Sequence, residues 1–270
     1  AAVAAIAVPA AVEAHRAWIL PSATVLSGND AWVTFDAAVA NELFYFDHQP
    51  LRGDFTATAP DGSTVAVENQ TTGRYRTSFD LHLTQQGTYR IASVRDGVMG
   101  SYMLNGERQR LPRGLSAAAA QGAIPAGATD VQIMETSART EAFVTLGEPT
   151  TANLAPTGRG IELVPVTHPN DLYAGEAATF QFLLDGQPLA NQNLTILPGG
   201  SRYRDHTAEI TATTDAEGKV TITWPEAGMY WLSINNGPAR EGGEGPGQQP
   251  PEPASGRRAS YVAVLEVLPA

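Results

Sequence analysis

The 270-residue sequence contains no cysteine, and only 17% of its residues are charged. The missing cysteine excludes disulfide bonds, thiolate zinc sites, iron–sulfur clusters and cysteine nucleophiles. It does not fix the cellular compartment, because exported proteins also often lack cysteine. The small number of charges means that threonine, serine, asparagine, glutamine and glycine must supply much of the polar surface.

Positive charge is particularly scarce. The chain has 17 Lys and Arg against 28 Asp and Glu, which gives a formal net charge of −11. Phosphate backbones and anionic lipid surfaces are bound by clusters of Lys and Arg. We therefore expect no nucleic-acid partner and no docking to anionic membranes, whereas an acidic protein of this kind attracts cations.

Familiar catalytic motifs are absent as well. The sequence has no Gly-x-Ser-x-Gly elbow, no phosphate-binding Gly-Lys-Ser/Thr loop and no His-Glu-x-x-His pair. A Ser-His-Asp triad is defined by geometry, which the order of residues does not reveal. We therefore predict that the protein is not an enzyme.

The first fourteen residues, AAVAAIAVPAAVEA, are small and apolar. They are too few for a membrane span of about 20 residues. They resemble the end of a secretory signal peptide, and Val12-Glu13-Ala14 fits the cleavage pattern. We predict a residual signal peptide at 1–14, His15 as the mature N-terminus, export to the periplasm and no membrane insertion after cleavage. A disordered alanine-rich tail is the alternative.

The rest of the chain shows short alternating runs separated by Gly, Pro, Asn and Asp, which is typical of many short β-strands. Two sets of runs end alike, since Gly87-Thr88-Tyr89 and Gly228-Met229-Tyr230 both place glycine two residues before tyrosine. In sandwich folds a tyrosine at such a corner ties a loop through its hydroxyl group. We predict an all-β protein of two tandem immunoglobulin-like or transthyretin-like β-sandwich domains; chance similarity of so short a pattern is the alternative.

Changes of composition along the chain suggest where the two domains begin and end. We assign residues 15–110 to an N-terminal β-sandwich, 111–155 to a linker and 156–270 to a C-terminal β-sandwich. The linker contains a short predicted helix at 116–121 and possible strands at 131–134 and 141–146. The stretch 236–258 is rich in Gly, Pro, Gln and Glu, which predicts a flexible loop before a closing strand at 261–268.

Several segments resemble one family of bacterial periplasmic proteins. They are His15-Arg16-Ala17-Trp18-Ile19-Leu20-Pro21-Ser22, Glu162-Leu163-Val164-Pro165, His168-Pro169-Asn170-Asp171-Leu172, Thr214-Asp215-Ala216-Glu217-Gly218 and Gly228-Met229-Tyr230-Trp231. Together they are similar to the NikM-like family, which is associated with nickel or cobalt uptake. Ala17 stands where an aromatic residue is common in that family. The resemblance implies export, a β-sandwich fold and a link to transition-metal acquisition.

The sequence contains five histidines: His15, His48, His82, His168 and His206. An N-terminal His15 would offer its amine and imidazole together, and a second imidazole would complete a three-nitrogen site suited to copper(II) or nickel(II). We predict His48 as the partner because it shares the first domain. Imidazole must be neutral to bind a metal, so affinity should fall below about pH 6.

The remaining histidines have weaker grounds for metal binding. His168 and His206 are further candidate metal ligands, and the competing interpretation is that both cap turns in loops. His82 is expected on the surface of a sheet.

Two further features allow a functional and a structural interpretation. The aromatic run Leu43-Phe44-Tyr45-Phe46 predicts a doubly buried strand or a strand covered by the linker, with a partner-binding surface or a contact between the domains as the alternative. The loop containing Arg202, Arg204 and Asp205 could bind an anion, although exposed charges are the usual content of such loops.

These observations support three functional hypotheses. The first is a periplasmic accessory protein of transition-metal uptake or handling that binds nickel, cobalt, copper or iron, or contacts a metal transporter or outer-membrane receptor. The second is a β-sandwich binding or adhesion module without a metal. The third is a copper-dependent oxidase built on His15, which requires an open coordination position.

Overall fold

The structure is a computed structural model that describes residues 15–112, 114–237 and 256–270. The predicted signal peptide at 1–14 lies outside the described residues, as do residues 238–255 of the predicted loop. Within the described ranges, no helix has the length and apolar character that a membrane span requires.

The described chain forms three sheets, which confirms the predicted all-β class. The first sheet contains β1 (Arg16–Pro21), β3 (Ala31–Ala40), β4 (Gln49–Pro50), β7 (Glu68–Thr72) and β8 (Thr77–Leu83), in the order β1-β3-β8-β7 with β4 on β3. The third contains β12 (Ile161–Pro165), β13 (Ala177–Leu184), β14 (Gln187–Pro188) and β17 (Lys219–Thr223).

The second sheet has ten strands and runs through both halves of the chain. Its order is β16 (Ile210–Thr213), β15 (Asn193–Pro198), β18 (Gly228–Asn235), β19 (Gly256–Val267), β11 (Thr129–Leu146), β9 (Gly87–Leu104), β5 (Thr56–Thr58) and β6 (Thr64–Val65). In addition, β10 (Glu107–Arg110) pairs with β9 and β2 (Val25–Leu26) pairs with β11.

The N-terminal half is a sandwich of the first sheet against one end of the ten-stranded sheet. Strand β8 alternates between buried and partly exposed residues, so Phe79 and Leu81 enter the core while Asp80 faces outward. They pack with Tyr89 and Val144 of the opposing sheet. Truncating a buried phenylalanine such as Phe79 to alanine typically costs about 3–5 kcal/mol.

The C-terminal half repeats this arrangement with the third sheet and the other end of the ten-stranded sheet. Phe180 and Phe182 of β13 are fully buried against Tyr230 and Tyr261. Trp224 follows β17 and packs on Tyr230, with ring centroids 5.0 Å apart. The two sandwich cores confirm the predicted β-sandwich packing, whereas the proposed domain bounds stay a prediction.

The repeated Gly-x-Tyr pattern has a structural role in both halves. The hydroxyl of Tyr89 accepts hydrogen bonds from the backbone N–H groups of Thr84 and Gln85, at 3.1 and 2.8 Å. The hydroxyl of Tyr230 donates to the carbonyl of Glu226 at 2.8 Å. Each tyrosine therefore ties down the loop that precedes its own strand, as the sequence predicts.

Strand β11 joins the two halves of the large sheet. It pairs antiparallel with β9 along most of its length and parallel with β19 from Met134–Gly256 to Ala142–Val264. The sequence predicted two separate strands here, but the structure has one strand of 18 residues. The predicted linker thus supplies a central strand of the sheet, together with the short helix α1 (Ala117–Gly122), which is capped by Ser116.

A separate apolar cluster lies between the two halves. Trp18 and Ala38 lie on the face of the first sheet that points away from its own sandwich core. They pack against Trp231 and Val264 of the ten-stranded sheet. The indole Nε1 of Trp231 donates a hydrogen bond to the carbonyl of Ala17 at 2.9 Å. This cluster packs the first sheet against the C-terminal half.

The aromatic run at 43–46 has a different structure from the one that the sequence predicts. Residues 43–46 are not in a strand, so the predicted doubly buried strand is wrong. Leu43 is buried, and Phe44 and Phe46 pack around Trp18 in the cluster between the halves. Phe44 has a φ of 64°, a turn conformation that a strand does not contain. The alternative prediction, a contact between the domains, describes this run.

Candidate metal and ligand sites

His15 and His48 meet at one end of the first sheet. Strands β1 and β4 both pair with β3 and both begin at its C-terminal end, where Arg16 lies opposite Ala40 and Gln49 opposite Val39. The residue that precedes each of the two strands is a histidine. Their imidazole rings stack with centroids 3.9 Å apart and planes 13° apart.

The loop before His48 is held in place by hydrogen bonds. The carboxylate of Asp47 accepts from the backbone N–H groups of Asn41 and Glu42, at 2.9 and 3.0 Å. Arg16 donates from Nη1 to the carbonyl of Asn41 at 2.7 Å. These contacts position His48 beside His15 without using either ring.

The two imidazoles would supply two of the nitrogen ligands that the predicted metal site requires. Both side chains are exposed, and their ring nitrogens make no hydrogen bond within the described residues. A metal ion sits in the plane of each imidazole at about 2.0–2.1 Å from nitrogen, so one ring must rotate out of the stack for both to bind one ion. The described ranges contain no group of three or more His, Cys, Asp or Glu that could hold a metal. A third nitrogen would have to come from the amine of an N-terminal His15 or from outside the chain.

His168 lies away from that pair and is used by the fold. Its Nδ1 accepts from the backbone N–H of Asn170 at 3.0 Å, and its Nε2 is 3.0 Å from the hydroxyl of Thr88 and 3.1 Å from the carbonyl of Thr150. Burial lowers the pKa of His168, although the carbonyl of Thr150 and the charge of Asp171 act against this effect. Both ring nitrogens have protein partners, which corresponds to the turn-capping interpretation rather than to a metal ligand.

His206 is exposed on the loop 199–209 and lines a shallow cavity. The cavity is shared with Glu42, Arg202 and Arg204. His206 belongs to no potential metal-binding group among the residues that the structure describes.

His82 forms a further cluster, with Trp32 and Asp30, that the sequence did not reveal. It lies opposite Trp32 in the register of β3 and β8, and the two rings stack with centroids 4.3 Å apart. Its Nε2 lies 3.0 and 3.1 Å from the two carboxylate oxygens of Asp30. The indole of Trp32 is 49% exposed, so the cluster presents an aromatic surface to solvent.

The sequence also did not reveal a network of buried charges around Arg139. Arg139 contacts Glu141 at 3.0 Å and Glu162 at 3.4 Å, and all three side chains are almost fully buried. The hydroxyl of Tyr261 donates to Glu141 at 2.8 Å. Burial raises the pKa of Glu162, but hydrogen bonds from Thr157 and the charge of Arg139 outweigh it and lower the pKa overall. Strands β11 and β12 carry these charges inside the fold, where they link the ten-stranded sheet to the loop before β12.

Comparison with known proteins identifies the family but not the function. Residues 12–236 match the family model described as a domain of unknown function, DUF4198, and the chain belongs to this family. No curated protein matches the chain.

Solved structures show only distant likeness. The D0–D1 domain of intimin is 12% identical, with 93% of this chain and 97% of that chain covered and a TM-score of 0.23. The trypsin-activated alpha-2-macroglobulin from Escherichia coli is 10% identical at a TM-score of 0.24, with 96% of this chain but only 16% of that chain covered. A marsupial T cell receptor is 12% identical at a TM-score of 0.19, with 92% and 73% covered. Likeness at this level does not bear on function.

Proposed function

We propose that this protein is an exported, periplasmic accessory protein of transition-metal uptake or handling, and that it binds its metal ion through His15 and His48 without catalytic turnover. The observation that supports the proposal is the contact between the two rings, because the sequence singles out these two histidines for their chemistry and the fold brings them together. Nickel, cobalt, copper and iron are the candidate ions.

The ion in this proposal is cargo rather than a resident cofactor. Neutral imidazole nitrogens bind divalent ions in the order of the Irving–Williams series, so copper(II) should bind most tightly and nickel(II) next. Cleavage after Ala14 would add the amine of His15 as a third nitrogen. Because His15 and His48 are both exposed, a metal transporter or outer-membrane receptor could approach the ion directly and take it over.

The test is a metal titration of the protein that begins at His15. Copper(II), nickel(II) and cobalt(II) are titrated by competition with a chromophoric chelator into the wild type, His15→Ala and His48→Ala. We expect each substitution to weaken binding at least tenfold, while the matched control His82→Ala, which removes an imidazole from the opposite part of the same sheet, retains wild-type affinity. Unchanged affinity in His15→Ala would refute the assignment.

A copper-dependent oxidase would need the same two histidines and an open coordination position. Turnover that depends on oxygen or peroxide and on loaded copper would distinguish that activity from metal handling. Absence of turnover across a broad set of substrates would leave the accessory role.

A different observation favours a second candidate, a binding module without a metal. The exposed indole of Trp32 is held flat by His82, which is itself fixed by Asp30. Exposed, preorganised aromatic rings are common anchors at binding surfaces. A sugar or protein ligand whose binding is unchanged by metal chelators and is lost in Trp32→Ala would support this function instead.

A further inference from the structure

A small cavity lies between two loops that come from the two halves of the chain. Its volume is about 180 Å³, with Glu42 lining it from the loop 41–48 and Arg202, Arg204, Asp205 and His206 lining it from the loop 199–209. This volume is below the roughly 300–1,000 Å³ of pockets for drug-sized ligands. A ligand of the cavity would therefore be small.

One guanidinium group in the cavity is fixed in place. The Nε of Arg202 donates to the carboxylate of Glu42 at 2.9 Å. The plane of the group lies over the ring of Tyr45, with its central carbon 3.9 Å from the ring centroid. Both Nη atoms have no hydrogen-bond partner within the described residues. A guanidinium held in this way presents a preorganised pair of donors, which matches the two oxygens of a carboxylate.

The second guanidinium group lacks a negative partner. Arg204 is partly buried, and its Nη2 donates to the carbonyl of Pro198 at 2.9 Å. No carboxylate lies within ion-pair distance of it in the part of the chain that the structure describes. Its Nε is buried without a hydrogen-bond partner among the same residues. Charges that are removed from water are normally paired, and none of the described residues supplies a counter-charge to the partly buried Arg204.

Tyr45 and Tyr203 lie beside the guanidinium of Arg202. The neighbouring side chain of Tyr203 is the largest of the effects that raise the pKa of Tyr45, whereas the charge of Arg202 lowers it. The phenol of Tyr45 therefore stays neutral near the cavity and does not add negative charge that would repel an anion.

From these observations we propose that the cavity binds the carboxylate group of a small organic acid, with Arg202 and Arg204 as its two cationic contacts. The carboxylates of Glu42 and Asp205 also line the cavity. They would repel a phosphate dianion more strongly than a single carboxylate, which favours the organic acid. The site is separate from the His15–His48 pair, although the loop 41–48 carries both His48 and Glu42, and binding of the acid does not require a metal.

The test is isothermal titration of metal-free protein with acetate, succinate and inorganic phosphate. Wild-type protein is compared with Arg204→Gln and with the control Arg159→Gln, since Arg159 is 76% exposed, pairs with Asp96 and does not line this cavity. We expect the carboxylic acids to bind the wild type and the control equally, to bind Arg204→Gln at least tenfold more weakly, and to bind better than phosphate.

Three results would overturn the proposal: no binding of either acid at millimolar concentration, equal binding by Arg204→Gln, or tighter binding of phosphate than of the acids. If Arg204→Gln does not fold, as judged by its thermal transition, Arg202→Gln is measured against the same criteria. His15→Ala separates the two proposed sites, because it should lose metal binding and keep binding of the acid, and Arg204→Gln should do the opposite.

Discussion

The imidazole of His15 lies flat on that of His48, with ring centroids 3.9 Å apart. The contact follows from strand pairing, because β1 and β4 start beside the same end of β3. Neither ring has a hydrogen-bond partner in the described residues, so the ring nitrogens are available to the metal ion that we propose. The contact has no evident role in the core, since both side chains are exposed.

Acid should destabilise the protein through His168. Burial lowers the pKa of this histidine in the folded state, while the unfolded chain titrates near 6.5. As the pH falls below about 6.5, the unfolded state takes up the proton first, so stability is lost until the pH passes below the lowered folded-state pKa. Above about 6.5 both states are neutral at this residue and it makes no pH-dependent contribution.

Urea unfolding of the wild type and His168→Gln at about pH 7.5 and about pH 5 measures this effect. Glutamine keeps a donor and an acceptor but does not titrate, so the variant should lose less stability on acidification. His206→Gln, at an exposed position, should behave as the wild type does. An equal loss in His168→Gln and the wild type would contradict the account.

The buried network predicts a large effect of removing its cation. Arg139→Met leaves Glu141 and Glu162 buried without their positive partner. Breaking a buried pair in this way costs about 3–5 kcal/mol. The same substitution at the exposed Arg159 should cost less than about 0.5 kcal/mol. Chemical denaturation of the two variants makes the comparison, and similar costs would mean that the network does not stabilise the fold.

Two glycines with similar backbone angles should respond differently to alanine. Gly218 has a φ of +74°, and an added Cβ would lie 2.4 Å from the carbonyl oxygen of Phe182. Gly62 has a φ of +85° with open space around the same position. Gly62→Ala should therefore cost about 1–2 kcal/mol for the left-handed conformation alone, and Gly218→Ala more. Thermal unfolding of both variants tests the difference, and a smaller cost at Gly218 would contradict the packing described here.

The contact between the halves depends on Trp231. Trp231→Phe removes the hydrogen bond from the indole to the carbonyl of Ala17 and part of the apolar cluster around Trp18. We expect a loss of about 1–3 kcal/mol. Trp32→Phe, at an exposed ring of the first sheet, should cost less than about 0.5 kcal/mol. Equal stability of Trp231→Phe and the wild type would show that this contact is not stabilising.

The sequence predicts the fold class well where one face of a strand is buried. Alternation in β8 and the two Gly-x-Tyr corners both appear in the structure as expected. It fails for β11 between the two predicted strands, because residues 135–140, ETSART, are mostly polar and show no apolar alternation that would mark one continuous strand. The aromatic run at 43–46 misled for the opposite reason, because apolar residues in a turn at a contact surface look like a buried strand.

The candidate sites depend on register and loop geometry, which sequence alone does not contain. His15 could be paired with His48 only because both fell in the same predicted domain. The stack of His82 on Trp32 requires the register of β3 with β8. The only sequence signal of the buried network was a charged residue within an apolar strand, as at Glu162 between Ile161 and Leu163.

The most direct test of the metal proposal is the intact mass and metal content of the protein purified, with its bound ions, from its native source. The account predicts a chain that begins at His15 and carries close to one equivalent of nickel, cobalt, copper or iron. A chain that retains Ala14, or that binds no metal even after titration, would contradict it and would favour the binding-module function.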